Sequence, residues 1–203
     1  MEAFEAFVAL TLEAEGLVVS EAIKFPVTRQ TAKAAYAETQ THGFEVDLVA
    51  ARADKLVLAT VKSFFGSRGV AAEHVMGESP TKRFNGLYSM LNDVVVRDAV
   101  VAGACERFGY AVNQVELRLY VGKFAGEKSG VHERRIKAWA GSQLVGAGPI
   151  RVFGLHEVAA TARKVAESKS YRDNPALVAI KVLESAGMLG AENTTRAPEA
   201  AAR

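Results

Sequence analysis

Two apolar segments in the first third of the chain follow the patterns expected of β-strands. In residues 44–50 hydrophobic side chains occupy every second position, whereas residues 56–62 are almost continuously apolar. The first pattern is typical of a strand with one buried face, and the second of a strand buried on both faces. A short polar connection, residues 53–55, separates the two. We therefore predict a β-hairpin within the stretch 43–69.

Helical and extended patterns alternate through the rest of the chain. Helical spacing predicts helices over residues 2–15, 84–108, 131–145, 155–169 and 175–189, and alternation predicts strands over 17–27, 113–124 and 150–153. In the strand at 113–124 polar residues alternate with apolar ones, so one face should meet solvent. Residues 28–42 are predicted as a long polar connection, either a loop or a short helix inserted in a β-hairpin. The order indicates an α/β fold in a single domain, residues 1–189, followed by a disordered tail at 190–203.

Composition limits the class of protein more than it identifies it. The 203 residues are 49% hydrophobic, which is enough for a sizeable core, and the net charge of +2 does not by itself indicate a nucleic-acid-binding protein. Any basic surface must therefore be local. The single cysteine, Cys105, cannot form an intrachain disulfide, and the acidic start of the chain lacks the features of a secretory signal. No apolar run reaches membrane-spanning length, so we expect a cytoplasmic protein without a membrane partner.

Two charged residues interrupt the apolar pattern of the predicted hairpin. Asp47 lies in the middle of its first strand, and Lys62 ends the second. A charge beside a sheet core is costly unless it is paired or binds a ligand. On neighbouring strands the two side chains can hold a divalent cation and an anionic substrate. They can also form a plain ion pair, which is the simplest alternative.

The same hairpin resembles the signature of the PD-(D/E)xK nuclease superfamily, in which an Asp on one strand is followed on the next by an acid, any residue and a Lys. The segments 45–50 and 56–62 are most similar to those of its YraN-like branch, which is related to Holliday-junction resolvases. The chain departs from the pattern at Thr60, where the motif has its second acid. The resemblance implies a restriction-endonuclease-like αβββαβ core, with a central mixed sheet flanked by helices, plus C-terminal helices.

The resemblance also implies a set of catalytic residues and a cofactor. Asp47, Lys62 and Glu5 would be catalytic, with Thr60 in the position of the missing acid. A Mg²⁺ or Mn²⁺ ion would be bound by Asp47, Glu5 and the main-chain carbonyl of Val61. Glu5 precedes Leu12 and Gly16 by the spacing found in the first helix of the YraN-like branch, but a carboxylate that caps a helix start explains it equally well.

Other polar residues suggest how a substrate could be held. Glu45 lies two residues before Asp47 on the same predicted face and offers a substitute for the missing acid. After the hairpin, Ser67 and Arg68 stand between two glycines, which lets main-chain N–H groups approach a phosphate. Arg134 and Arg135 are candidate contacts to a phosphate backbone, although a charged first turn of a surface helix is the plainer interpretation.

Three hypotheses follow for the function of the chain. The first is a metal-dependent DNA nuclease. The second is a nucleic-acid-binding module that keeps the fold without catalysis, as Thr60 permits. The third is a structural or interaction protein in which Asp47 and Lys62 only pair. DNA is the expected partner under the first two hypotheses, and the sequence leaves the oligomeric state open, including a homodimer.

Overall fold

A computed structural model describes residues 2–30, 39–168 and 174–189 of the chain. Its helices are α1 (Ala3–Ala14), α2 (Ala72–Val75), α3 (Lys82–Gly86), α4 (Ser89–Asn92), α5 (Val94–Phe108), α6 (Val131–Ser142), α7 (Leu155–Ala166) and α8 (Pro175–Ser185). Its strands are β1 (Val18–Gln30), β2 (Thr39–Arg52), β3 (Lys55–Lys62), β4 (Val115–Val121), β5 (Leu144–Val145), β6 (Gly148–Pro149) and β7 (Arg151–Gly154). The predicted tail, residues 190–203, lies outside the described part.

A five-stranded mixed sheet forms the centre of the fold, in the order β1-β2-β3-β4-β7. The first three strands are antiparallel neighbours, and β3, β4 and β7 run parallel. The expected α/β architecture, a mixed central sheet flanked by helices, is thus confirmed. Because the carboxyl ends of parallel strands meet at one edge, Lys62, Val121 and Gly154 end their strands side by side. We call this the carboxyl edge of the sheet.

Helices cover both faces of the sheet. On the α5 face, Leu58 of β3 and Leu117 of β4 pack with Val100 of α5. On the α1 face, Ala59 packs with Leu12 of α1, and α7 and α8 complete that layer. The apolar side chains of β3 therefore alternate between two buried layers, which explains its nearly continuous hydrophobic sequence.

The strand predicted at 113–124 is present as β4, but the prediction that one of its faces meets solvent is wrong. All seven residues of β4 are buried, including Glu116 and Arg118. These charged side chains lie on the α1 face, which the helices cover, and they are tolerated there because they pair with each other and with charges from neighbouring elements. Alternation of polar and apolar residues correctly indicated a strand, but it did not distinguish solvent from a buried charged layer.

The predicted helix at 84–108 is also wrong as one element, because it is broken into α3, α4 and α5. The side-chain amide of Asn85 donates to two main-chain carbonyls of the preceding loop, and that of Asn92 donates to the His74 carbonyl at 3.1 Å. Such bonds compete with the helical ladder. As a result Phe84 and Leu87, whose spacing puts them on the apolar face of the predicted helix, are 42% and 46% exposed.

The long connection predicted at 28–42 is shorter than expected. β1 continues to Gln30 and β2 begins at Thr39, so only residues 31–38 remain between them, and these lie outside the described part. Residues 23–30 of β1 and 39–46 of β2 pair only with each other and form a two-stranded ribbon. The ribbon packs on α5, where the ring of Phe25 meets that of Phe108 edge-on with centroids 6.4 Å apart. Arg29 of the ribbon pairs with Asp93, the residue that caps α5. These contacts hold the ribbon against one face of the molecule.

Candidate functional site

Asp47 stands at the point where β2 leaves the central sheet. Residues 48–51 of β2 pair with both β1 and β3, residues 39–46 pair with β1 alone, and Asp47 between them has no ladder partner on either strand. On the neighbouring strand Ala22 has a φ of 50°, which is rare for a residue other than glycine. The faces exchange here, since Val46 packs in the α5 layer and Leu48 in the α1 layer although their positions have the same parity. The break frees the Asp47 side chain to reach across to β3.

At the end of β3 the carboxylate of Asp47 accepts the main-chain hydrogen bond that a neighbouring strand would otherwise accept. Its Oδ2 accepts the main-chain N–H of Val61 at 2.6 Å and the Lys62 ammonium at 3.2 Å. About four fifths of each side chain, Asp47 and Lys62, is buried. The expected convergence of the two side chains at one end of the sheet is therefore confirmed. An ion pair alone would show the same contact, so the pair does not decide between the three hypotheses.

Thr60 and the main chain of Val61 belong to the same corner. Extending the β2–β3 register by one pair beyond Leu48 and Ala59 places Thr60 opposite Asp47, and Thr60 is 6% exposed. The Lys62 carbonyl accepts the Gly122 N–H at 2.9 Å, so the main chain of Lys62 faces β4. Since neighbouring residues of a strand point their main-chain groups in opposite directions, the carbonyl of Val61 points to the same side as its N–H, toward Asp47.

The two other carboxylates that the sequence suggested are engaged elsewhere. α1 begins near the carboxyl edge, but Oε2 of Glu5 accepts the Glu2 N–H at 2.8 Å, which is the helix-capping contact of the plainer interpretation. Glu45 lies on the ribbon, 3.6 Å from the ammonium of Lys24. Within residues 2–30, 39–168 and 174–189, no group of three His, Cys, Asp or Glu side chains is placed to hold a metal ion. A metal role for Glu5 stays a prediction.

The loop that follows β3 presents Arg68 to solvent. Ser67 Oγ donates to the Phe64 carbonyl at 3.1 Å, and the Ser67 carbonyl accepts the Lys123 ammonium at 2.9 Å. Gly69 has a φ of 89°, and a Cβ there would lie 2.6 Å from the Phe124 carbonyl carbon, so only glycine fits. Arg68 itself is exposed and makes no ion pair with any residue that the structure describes. The loop therefore presents a cation without an ion-pair partner in the described ranges, six residues beyond Lys62.

The two arginines predicted on α6 differ in their surroundings. Both are exposed, but Arg135 donates to Glu78 Oε2 at 3.2 Å, whereas Arg134 has no such partner in the described part of the chain. Their neighbour His132 is half-buried, and its Nδ1 accepts the Ala72 N–H at 3.1 Å. No local pattern predicts this contact, because it joins residues sixty positions apart.

Sequence reasoning missed a buried charged cluster on the α1 face. The Arg118 guanidinium is fully buried and donates to both oxygens of Glu15, at 2.6 and 2.8 Å, to Glu116 at 2.9 Å and to the Tyr120 hydroxyl at 3.1 Å. Lys55 adds a second cation, 2.9 Å from Glu116 Oε2. The only sequence signal is the spacing of three polar residues along one face of β4, which is equally typical of a solvated face.

Ionisation in this cluster follows from the pairing. Burial alone would raise the pKa of Glu116, but hydrogen bonds from Arg118 and Lys55 outweigh it and lower the pKa to about 2. The pKa of Glu15 is lowered for the same reason, since the contact with Arg118 outweighs the effect of burial. In Arg118 itself the carboxylates outweigh burial and raise the pKa. All three groups stay charged at neutral pH, so the cluster is a fixed structural unit.

Comparison with known proteins adds little to this description. No protein-family model matches the chain, and no curated protein matches it. The chain is similar to one crystal structure of a protein of unknown function, AF1548, with a TM-score of 0.43 and 16% sequence identity, over 92% of this chain and 78% of that one. A likeness this distant carries no argument about function. In the part of the chain described here, no helix is long and apolar enough to span a bilayer.

Proposed function

We propose that this protein acts on DNA at the carboxyl edge of its sheet, as a metal-dependent nuclease or nuclease-like protein of restriction-endonuclease-like fold. The supporting observation is the meeting of Asp47, Lys62 and the Val61 main chain where β2 leaves β3. A carboxylate, a main-chain carbonyl and an ammonium close together are the groups needed to hold a hard cation beside a phosphate.

The residues present fit a divalent cation only as a weak site. Oδ1 of Asp47 makes no hydrogen bond to any residue of the described ranges, and the Val61 carbonyl points to the same side. Mg²⁺ keeps several of its waters and commonly takes one or two carboxylates with substrate phosphate oxygens. When bound, such an ion polarises the phosphate and lowers the pKa of a coordinated water. With one carboxylate, firm binding should require the DNA.

Lys62 and Arg68 supply the positive charge for the phosphate backbone. The Lys62 ammonium has three N–H donors and uses one on Asp47, which leaves donors for a phosphate oxygen whose negative charge grows during hydrolysis. Its partly buried position strengthens that interaction relative to bulk water. Arg68 follows on the next loop and can hold a neighbouring phosphate in a bidentate contact.

A second candidate, DNA binding without cleavage, is favoured by two specific observations. Thr60 carries no charge at the position of the second acid, and Glu5 caps its own helix. Lys62 and Arg68 remain available to phosphates in either case. The two candidates therefore share a binding surface and differ only in cation-dependent chemistry.

The test is nicking of supercoiled plasmid in Mg²⁺ or Mn²⁺, with EDTA as the blank, beside DNA binding measured in Ca²⁺. Asp47→Asn keeps an acceptor for the Val61 N–H and should abolish cation-dependent nicking, while Lys62→Met should lower it by about 100-fold. Asp54→Asn is the matched control, because Asp54 is an exposed carboxylate of the same hairpin that pairs with Arg52. Binding without nicking by the wild-type protein would support the second candidate. A protein that neither binds nor nicks DNA would refute both.

A further inference from the structure

A cavity of about 350 Å³ lies on the α5 face beside the carboxyl edge. Its walls are mostly apolar, and its rim carries several polar side chains. The apolar walls include Phe64, Phe84, Leu87 and Tyr88, and the polar rim includes Ser67, Arg68, Glu73, His74 and His132. Apolar walls with a few convergent polar groups are typical of a site for a small organic group.

The side chain of Tyr88 lines the cavity with a hydroxyl that has no partner among the described residues. Tyr88 is 1% exposed, and its hydroxyl makes no hydrogen bond to any residue that the structure describes. Buried tyrosine hydroxyls usually find a partner, because leaving one unpaired costs free energy. The hydroxyl also stays protonated, since burial raises the pKa of Tyr88 well above its usual value. The site therefore offers a hydroxyl, able to donate or accept, to a ligand.

An aromatic platform stands at the mouth of the cavity. The ring of Phe84 stacks on that of His74, with centroids 4.6 Å apart and planes 19° from parallel. Despite this contact Phe84 is 42% exposed, because α3 is separated from α5 and does not enter the core. A flat aromatic group entering the cavity would extend the stack.

A donor and an acceptor lie side by side elsewhere in the lining of the cavity. Because Nδ1 of His132 accepts the Ala72 N–H, the neutral ring must carry its proton on Nε2, which becomes a donor. The Glu73 carboxylate lies 3.6 Å from the same Nδ1 and is 40% exposed, so it can accept hydrogen bonds. Neighbouring donors and acceptors match the edge of a nucleobase.

We propose that this cavity binds one unpaired nucleobase of a DNA strand, with a phosphate of that strand on Arg68. This proposal rests on the proposed function and narrows its substrate to DNA that contains unpaired nucleotides. Phe64 in the cavity wall is two residues beyond Lys62, and strand alternation turns the Lys62 side chain to the α5 face, the same face as the cavity. A strand whose base enters the cavity would thus run along the face of the sheet to which Lys62 points.

The test separates the contribution of a base from that of the phosphates. A short strand of abasic sites with one central thymine is compared by fluorescence anisotropy, in EDTA, with the same strand fully abasic. The two probes carry equal charge, so we expect the thymine to tighten binding by about tenfold, as stacking on an aromatic side chain does. Phe84→Ala should remove that gain without changing the affinity for the abasic strand, and Tyr88→Phe should reduce it without lowering thermal stability.

Val94→Ala is the matched control, because Val94 is a similarly exposed apolar residue outside the cavity, and it should keep the full gain. Arg68→Gln should weaken both strands equally. If the abasic strand binds but the thymine gives no gain, or if Phe84→Ala behaves like the control, the base site is wrong while the proposed function stands. If neither probe nor duplex DNA binds, both proposals fall. Competition by free thymidine monophosphate as strong as by the strand would instead show a mononucleotide site and overturn the strand proposal.

Discussion

Replacing Glu116 by Gln should destabilise the fold by an amount that depends on pH. Glu116 is 7% exposed and is paired with Arg118, Lys55 and Arg151. The drop of its pKa from 4.5 to about 2 corresponds to about 3 kcal/mol at neutral pH, at about 1.4 kcal/mol for each pH unit. Removing one member of a buried charged cluster typically costs a similar amount, about 3–5 kcal/mol. For a domain of this size the melting temperature should fall by about 6–12 °C.

The sign of the pH dependence follows from a carboxyl group whose pKa is lower in the folded state. The stabilisation by Glu116 is fully present above the unfolded pKa near 4.5 and is lost as the pH falls toward 2. Urea unfolding at a series of pH values from 7 to 2.5 should therefore show the wild-type and Glu116→Gln proteins converging at the acid end.

Glu45→Gln provides the control, because Glu45 is half exposed and lies 3.6 Å from Lys24. Its free energy of unfolding should change by less than about 1 kcal/mol at every pH. A difference between wild type and Glu116→Gln that stays constant from neutral to acid pH would refute the reasoning, because the loss would then come from packing and not from charge. No destabilisation at neutral pH would refute it as well.

Three further predictions concern the carboxyl edge and its surroundings. Thr60→Glu should lower the free energy of unfolding in EDTA, because it buries an unpaired carboxylate. In Mg²⁺ at a hundredfold excess over Kd, thermal unfolding should show that about 2.7 kcal/mol is regained. Thr60→Gln, whose side chain has the shape of Glu without its charge, should show no response to Mg²⁺. Gly69→Ala should lower the free energy of unfolding by about 2 kcal/mol or more, while Gly66→Ala, whose Cβ would meet no atom within 4 Å, should be nearly neutral. In DNA-binding titrations at several salt concentrations, Arg134→Ala should reduce the salt slope by about 1, and Arg135→Ala should reduce it less because Arg135 already pairs with Glu78. Equal responses within any of these pairs would contradict the structural reason given for it.

The part of the fold that could be predicted is the part in which local pattern and tertiary environment agree. β3 is buried on both faces, so its apolar run identified it. The polar connection predicted at 53–55 is a two-residue turn, residues 53–54, because Lys55 already pairs with Arg52 in the ladder. The order of the main elements, including the helix before β1 and the helices after β7, follows from hydrophobic periodicity for the same reason. The proximity of Asp47 and Lys62 could be predicted because the hairpin register brings Asp47 next to the end of β3, but the break in β2 that lets the carboxylate reach across could not.

The rest depended on contacts between residues far apart in the sequence. Arg118 and Glu116 alternate with apolar residues as on a solvated strand, and only their pairing with Glu15, about a hundred positions earlier, explains their burial. Phe84 follows the helical spacing of α5, but side-chain amides that bond to distant carbonyls interrupt the helix between them. Local periodicity contains neither kind of information, so it misplaced both sets of side chains.

The Asp47–Lys62 pair illustrates why a contact alone does not establish a catalytic role. Oδ2 of Asp47 already accepts the Val61 N–H, so the carboxylate satisfies the end of β3 whether or not Lys62 is present. Lys62 in turn loses side-chain entropy and part of its hydration when it becomes four fifths buried, and the attraction of a single carboxylate offsets that loss only in part. A purely structural pair would therefore gain stability from Asp47 much more than from Lys62. In the proposed function a phosphate would supply a second anion for the remaining donors of Lys62. The two side chains thus differ, because the Asp47 carboxylate is needed by the end of β3, whereas a separate role for Lys62 belongs to the proposal and is tested by Lys62→Met.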